Sequence, residues 1–233
     1  MCGRYALDVT GEQIAVAFGA GLGSAGAWEP SWNIAPTRDA PIVRTGDAGL
    51  QVDLLRWGLV PAWADDPAMG ARLINARCET VPVKPAYRES FRRRRCLVPI
   101  RAFYEWRREG RGPARPVAVR GDRPGLLGLA GLWASWDSPE GGCLESFTIV
   151  TTAAGPRLRS VHDRMPVVLS AEGAAIWLDH RNAEAGGPDG QRLERILGSA
   201  TDAGLVVGTL WVVDTIVESA FRCHCLHSCC TLQ

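Results

Sequence analysis

The sequence predicts an α+β fold, a single domain built on a mostly antiparallel, barrel-like β core with helices interspersed. Two observations carry this expectation. The apolar runs are only a few residues long and are bounded by proline, glycine and charged residues, which suits short strands joined by turns. The helical patterns are short and irregularly placed, so they do not form the regular strand–helix alternation of a doubly wound sheet. With 46% hydrophobic residues, 233 residues are enough to enclose one full core.

The elements follow in order. Gly11 to Phe18 reads as a short helix opened by Thr10, with Ile14, Ala15, Ala17 and Phe18 as its apolar positions. Gly19 to Gly26 reads as a flexible loop. Strands are expected at Pro41 to Arg44, Gln51 to Trp57 and Cys96 to Ile100, and a short helix at Pro85 to Arg92. Further strands are expected at Phe103 to Trp106, Pro116 to Arg120, Leu127 to Trp136 and Glu145 to Thr152, with helices at Gly173 to Leu178 and Gln191 to Ala200.

Composition narrows the setting. No apolar run approaches the ~20 residues of a membrane span, and the first residues lack the basic, apolar, small-residue order of a signal peptide. A cytoplasmic, reducing location is expected. The cysteines agree, because Cys2, Cys78, Cys96 and Cys143 are scattered while Cys223, Cys225, Cys229 and Cys230 crowd the end of the chain. A net charge of +1 gives no global case for nucleic acid. Local arginines do, since Arg4, Arg77, Arg88, Arg101, Arg107, Arg157, Arg159 and Arg164 flank the polar motifs and arginine is a natural phosphate ligand. The run Arg92 to Arg95 reads as a solvated face. Nine tryptophans are many for this length. Most are expected in the core, yet some placed beside arginines would suit single-stranded nucleic acid.

Cys2 has two readings, a small buried hydrophobe or a reagent. Removal of Met1 alone would put an α-amine (pKa ~7.7–8.0) and a thiol (pKa ~8.5) on one residue. The amine adds to an aldehyde to give a Schiff base, and the thiol then closes a five-membered thiazolidine ring. With Met1 in place the nitrogen is an amide and neither step is open.

Four segments carry further chemistry: Cys2-Gly3-Arg4-Tyr5, Ile74-Asn75-Ala76-Arg77-Cys78-Glu79-Thr80, Phe103-Tyr104-Glu105-Trp106 and His162-Asp163-Arg164-Met165-Pro166. Glu105 beside Tyr104 and Trp106 would sit in an apolar setting, with a raised pKa suited to moving protons near neutrality. Schiff-base formation needs such a shuttle, because a carbinolamine must lose water. His162 offers an imidazole, a group whose ordinary range suits proton transfer near neutrality. Asn75 offers both a donor and an acceptor to orient an amine or a sugar hydroxyl. Each also has a structural reading: a strand residue, a packed imidazole, a turn or cap.

With Trp32-Asn33-Ile34-Ala35-Pro36-Thr37, Arg56 to Trp63 and Lys84-Pro85, these segments resemble, in order and spacing, the SOS-response-associated peptidase (SRAP) family over residues 2 to 180. The resemblance implies recognition of abasic sites in single-stranded DNA and a covalent thiazolidine crosslink through Cys2 once Met1 is lost, which protects the lesion. It implies Cys2, Asn75, Glu105 and His162 as the catalytic set, Schiff-base chemistry of the lyase type, and self-processing at Met1. It implies Arg4, Arg77 and Arg164 on phosphates, with Trp57 and Trp63 bordering a loop that approaches the bases. No cofactor, no metal and no membrane partner are expected, and the protein is expected to be a monomer.

The chain departs from the family pattern in three places. Gly155 ends Thr151-Thr152-Ala153-Ala154-Gly155 where the family has asparagine, so a side-chain amide is missing before His162. Cys78 replaces a serine. Residues 2–213 are expected to form the domain and 214–233 a divergent Cys/His-rich tail, whose Cys223, His224, Cys225, His227, Cys229 and Cys230 are packed too closely for a familiar zinc finger. Two other readings stay open. One is a cysteine peptidase using Cys2 or Cys78 with His162 as base; the other is a non-covalent single-strand binding module.

Overall fold

The structure is a computed structural model and describes residues 2–108, 110, 112–179 and 188–209. The expected domain boundary at 213 and the Cys/His-rich tail lie outside the described residues. In chain order the first elements are β1 (Tyr5–Leu7), α1 (Gly11–Phe18), β2 (Gly21–Leu22), β3 (Ser31–Ile34), β4 (Asp39–Gly46), β5 (Gly49–Trp57), β6 (Asn75–Arg77) and α2 (Arg88–Arg93). Then come β7 (Arg95–Ile100), β8 (Ala102–Arg107), β9 (Arg115–Gly121), β10 (Leu127–Asp137), β11 (Cys143–Ala153), β12 (Arg164–Pro166) and β13 (Val168–Leu169). The last described elements are α3 (Ala171–Leu178), α4 (Pro188–Gly198) and β14 (Leu205–Thr209).

The strands form two sheets. In the larger one β11, β10, β7, β4 and β5 are hydrogen-bonded in succession, and β5 pairs back onto β11 in parallel at Ser146↔Arg56 and Phe147↔Trp57. That pairing closes a five-stranded barrel. The expected mostly antiparallel, barrel-like α+β fold is thus the observed one, with a parallel closure. The second sheet is wholly antiparallel, in the order β14-β9-β8-β1-β3.

Local sequence explains these elements. Seven successive residues of β11, Ser146 to Thr152, are buried, as in a strand covered on both faces, and so its sequence is a continuous apolar and β-branched run. The α1 helix has a full capping box: the Thr10 hydroxyl accepts the Gln13 amide, and the Gln13 side chain accepts the Thr10 amide at 2.9 Å. Gly19 ends the helix at φ 60°.

The expected loop at Gly19 to Gly26 instead carries β2 and a 3₁₀ turn at Ser24–Ala27. Asp53 organises it by accepting the Ser24 amide (2.9 Å) and hydroxyl (3.2 Å), while Arg44 holds Asp53 at 2.7 Å and Glu145 at 2.6 Å. A polar network spread over β4, β5 and β11 is invisible to local pattern.

The run Arg92 to Arg95 is not uniformly a solvated face. Arg95 is fully buried, donating Nε to the Trp177 carbonyl (2.6 Å), Nη1 to Phe91 and Arg92 (2.8 Å each) and Nη2 to Asp179 (2.7 Å). Those carbonyls end α2 and α3, so one cation caps two helix C-termini and locks both to β7. Burial lowers its pKa to about 10, which leaves it charged at neutral pH. Arg95→Met is therefore expected to destabilise the fold by ~3 kcal/mol or more, because four helix-end carbonyls, two of them buried, lose their donor. Chemical denaturation measures this; a loss under ~1 kcal/mol would contradict the capping role.

Candidate active site

The site forms where the second sheet meets the barrel. Cys2 and Arg4 lead into β1, and Glu105 lies on the adjacent β8, with the Tyr104 amide donating to the Arg4 carbonyl at 2.9 Å. Asn75 opens β6, which pairs in parallel with β11 at Ile149↔Asn75. His162 lies two residues before the start of β12, which pairs with the end of β11 at Ala153↔Arg164.

Direct contacts join these elements. Asn75 Nδ2 donates to the Cys2 carbonyl at 2.9 Å, tying the first residues to the barrel. The Asn75 carbonyl accepts the Tyr87 hydroxyl at 3.1 Å, and its Oδ1 is buried without a hydrogen bond among the described residues. An acceptor therefore stands ready beside residue 2. Beneath it Trp57 stacks on Phe147 (6.4 Å between centroids, 10°), meets Tyr5 at 5.1 Å, and donates Nε1 to the Ile74 carbonyl at 3.0 Å. That bond holds the residue before Asn75.

Electrostatics link the rest. Burial pushes the Cys2 thiol well above its ordinary range, and the negative charge of Glu105 adds to this. Burial is also the main reason the Glu105 carboxyl is raised, against the attraction of His162. The three groups thus act on one another through a poorly solvated space. The source of the burial differs from the sequence expectation, because strand alternation puts Tyr104 and Trp106 on the face opposite Glu105. Tyr104 instead bonds the Trp32 carbonyl at 2.8 Å, and Trp106 is 39% exposed.

The His162 ring is oriented locally. Its Nδ1 accepts the Arg164 amide at 2.9 Å, while Asp163 Oδ1 lies 2.8 Å from the same nitrogen. One nitrogen cannot serve both: accepting the amide requires a bare Nδ1, whereas attraction to the carboxylate requires a proton there. The two contacts therefore belong to different protonation states of the ring.

The expected DNA contacts divide. Arg77 is exposed, and Arg4 is partly exposed with Nη1 on Asn33 Oδ1 at 2.9 Å. Trp63 is 56% exposed. Trp57 is corrected, because a fully buried ring inside an aromatic stack offers no face to a base. Arg164 is engaged within the protein. Its fork grips Glu79 (2.7 and 3.0 Å) and its Nη2 reaches the Thr151 carbonyl at 2.6 Å, so it braces β12 against β11 and the turn after β6. That pair holds the Glu79 carboxyl below its usual range. Sequence reasoning missed Tyr87 and Glu79 as supports; both lie in or near the quoted motifs but carry no local signal of what they touch.

The chain matches known proteins. The family model for SOS response associated peptidase (SRAP) matches residues 1–205. The chain belongs to this family. SRAP relatives include the abasic site processing protein YoqW of Bacillus subtilis (strain 168), 35% identical over 185 residues that cover 79% of this chain and 83% of YoqW. Another is the abasic site processing protein HMCES of Xenopus tropicalis, 30% identical over 67% of this chain and 56% of that protein. A solved structure from Bacteroides thetaiotaomicron shares the fold, with a TM-score of 0.78 over 92% of this chain and 94% of its own at 20% identity.

Glu105 yields a test of site electrostatics. A carboxyl with a raised folded-state pKa contributes stability that is fully present below its unfolded value, about 4.3, and is lost as pH rises through the folded value. Glu105→Gln removes that loss, so the variant is expected to melt above the wild type at pH 8, with the gap narrowing toward pH 4. Calorimetry across pH checks it, and a variant melting below the wild type at pH 8 would contradict the burial argument.

Proposed function

We propose that this protein recognises abasic sites in single-stranded DNA and, once Met1 is removed, captures the ring-opened sugar aldehyde on Cys2 as a thiazolidine. The observation that carries the reading is the convergence of Cys2, Asn75, Glu105 and His162 from four separated segments around residue 2. Family membership and relatives named for abasic site processing support the choice of substrate.

The free amine adds to the aldehyde carbon, and the carbinolamine loses water to leave a Schiff base. The thiol then adds across C=N, its proton passing to nitrogen, so the net change is condensation with loss of one water. Glu105, its carboxyl raised by burial, delivers the proton that departs with the hydroxyl and takes back the one released from nitrogen. His162, in its protonated imidazolium form, gives its proton to the ring oxygen as the sugar opens and is left as neutral imidazole. Asn75 Oδ1 orients the amine, and its Nδ2 fixes the residue 2 carbonyl. Arg4 and Arg77 hold phosphates, exposed Trp63 lies against bases, and selectivity comes from the aldehyde that only an abasic nucleotide offers. Loss of Met1 by self-processing belongs to the same proposal.

A cysteine peptidase fits poorly. An activated nucleophile needs a lowered thiol pKa, whereas burial raises both Cys2 and Cys78. Cys2→Ala is expected to abolish a gel-stable crosslink to abasic single-stranded DNA while leaving salt-sensitive binding in place. Survival of the crosslink would overturn the thiazolidine.

A further inference from the structure

The turn that leads into His162 begins at a glycine with little space around it. A Cβ on Gly155 would lie 2.7 Å from Asp202 Oδ2 and closer still to the rest of that carboxyl group. Asp202 comes from the segment between α4 and β14, is 4% exposed, and directs Oδ2 at two amides of the turn, Arg157 N (2.7 Å) and Leu158 N (2.9 Å). The turn continues from there to the site. Leu158 is buried, its amide also reaches the Gly155 carbonyl (3.2 Å), and its own carbonyl accepts the His162 amide at 2.9 Å. The Ala154 amide closes the loop onto the Asp163 carbonyl at 2.8 Å.

An asparagine or aspartate at 155, followed by Pro156, would normally supply this acceptor itself. Its side-chain oxygen would bond the amide two residues on, which is Arg157, in an Asx turn. Glycine has no such oxygen. The bond to the Arg157 amide is nevertheless made, by a carboxylate reaching in from another segment through the space that a Cβ would fill.

We propose that Asp202 is the positioning residue of the His162 loop, supplying in trans the turn acceptor that Gly155 lacks. Charge-assisted bonds to two amides fix the turn, and the turn fixes the backbone at His162. The consequence for crosslinking rests on the thiazolidine reading above. The two segments form a matched pair, glycine with aspartate, in which each residue needs the other.

The test uses the full chain as Asp202→Ala, Gly155→Asn and the double variant. Three quantities are measured: the single-turnover crosslinking rate at saturating abasic oligonucleotide, the affinity for the same oligonucleotide with a tetrahydrofuran site that has no aldehyde, and amide exchange at Arg157 and Leu158. Asp202→Ala is expected to slow crosslinking about tenfold or more, since small misplacements of a reacting group are costly, while affinity stays within about twofold. Exchange at both amides should accelerate. Gly155→Asn alone should also slow crosslinking, by forcing the carboxylate out. The double variant, whose new side chain closes the Asx turn, should return to within about threefold of the wild-type rate and recover protection at Arg157.

A merely structural role would lower affinity and rate together without this rescue. Wild-type rate and protection in Asp202→Ala, or a double variant no better than Asp202→Ala, would overturn the proposal. Should Asp202→Ala fail to fold, the double variant decides: folding with crosslinking supports the pairing, and failure overturns it. If the wild type forms no crosslink, the covalent reading falls, while recovery or loss of Arg157 protection in the double variant still decides the brace.

Discussion

The parallel pairing of β5 with β11 is the constraint on which the structure depends. It closes the barrel and sets Trp57 beside Phe147, so that the Trp57 indole can reach the Ile74 carbonyl. Because β11 also pairs with β10, β6 and β12, the same strand carries Asn75 on one neighbour and presents His162 just ahead of another. Cys2 and Glu105 arrive separately, one just ahead of β1 and the other on the adjoining β8 of the second sheet, and the Asn75 bond to the Cys2 carbonyl ties the two halves together. A site assembled this way needs both sheets in register, since shifting a strand by one residue would turn its side chains to the opposite face.

The site sets function against stability. An ionisable carboxyl and a thiol share a space poor in water, where burial raises both and the carboxyl's charge raises the thiol further, an arrangement a purely structural core avoids. Elsewhere in the fold, the buried guanidinium of Arg95 and the mostly buried one of Arg44 are each bonded several times over. Arg95 meets four carbonyls, and Arg44 pairs with Asp53 and Glu145 while stacking on Trp133 at 4.4 Å. This contrast separates groups that hold the fold from the groups to which the proposed chemistry is assigned. Composition adds to the proposed selectivity: Lys84 is the sole lysine, and every other cationic side chain of fixed charge is arginine, whose guanidinium forms no Schiff base.

Much of this was legible in the sequence, for identifiable reasons. The α1 helix carries its own caps, and the long strands β5, β10 and β11 declare themselves by apolar runs, so each was expected close to its observed bounds. The two- and three-residue strands β1, β6, β12 and β13 were not, because their pairing is decided by partners far along the chain. At the site, residue types pointed to the chemistry proposed for Cys2, Asn75, Glu105 and His162, but not to which side chains were already engaged. Nothing local marks Trp57 as a buried prop or Arg164 as the partner of Glu79. The missing amide at Gly155 was visible, whereas its replacement by Asp202, 47 residues on (202 − 155), emerged only from the packing.

The central claim concerns one residue and one bond. Intact mass of the protein incubated with an abasic single-stranded oligonucleotide, followed by peptide mapping, addresses it directly. The account predicts loss of one methionine, then a mass gain equal to the oligonucleotide less one water, located on residue 2 and stable without a reducing agent. An adduct on Lys84, an adduct that persists only after borohydride reduction, or unmodified residue 2 in crosslinked protein would contradict it.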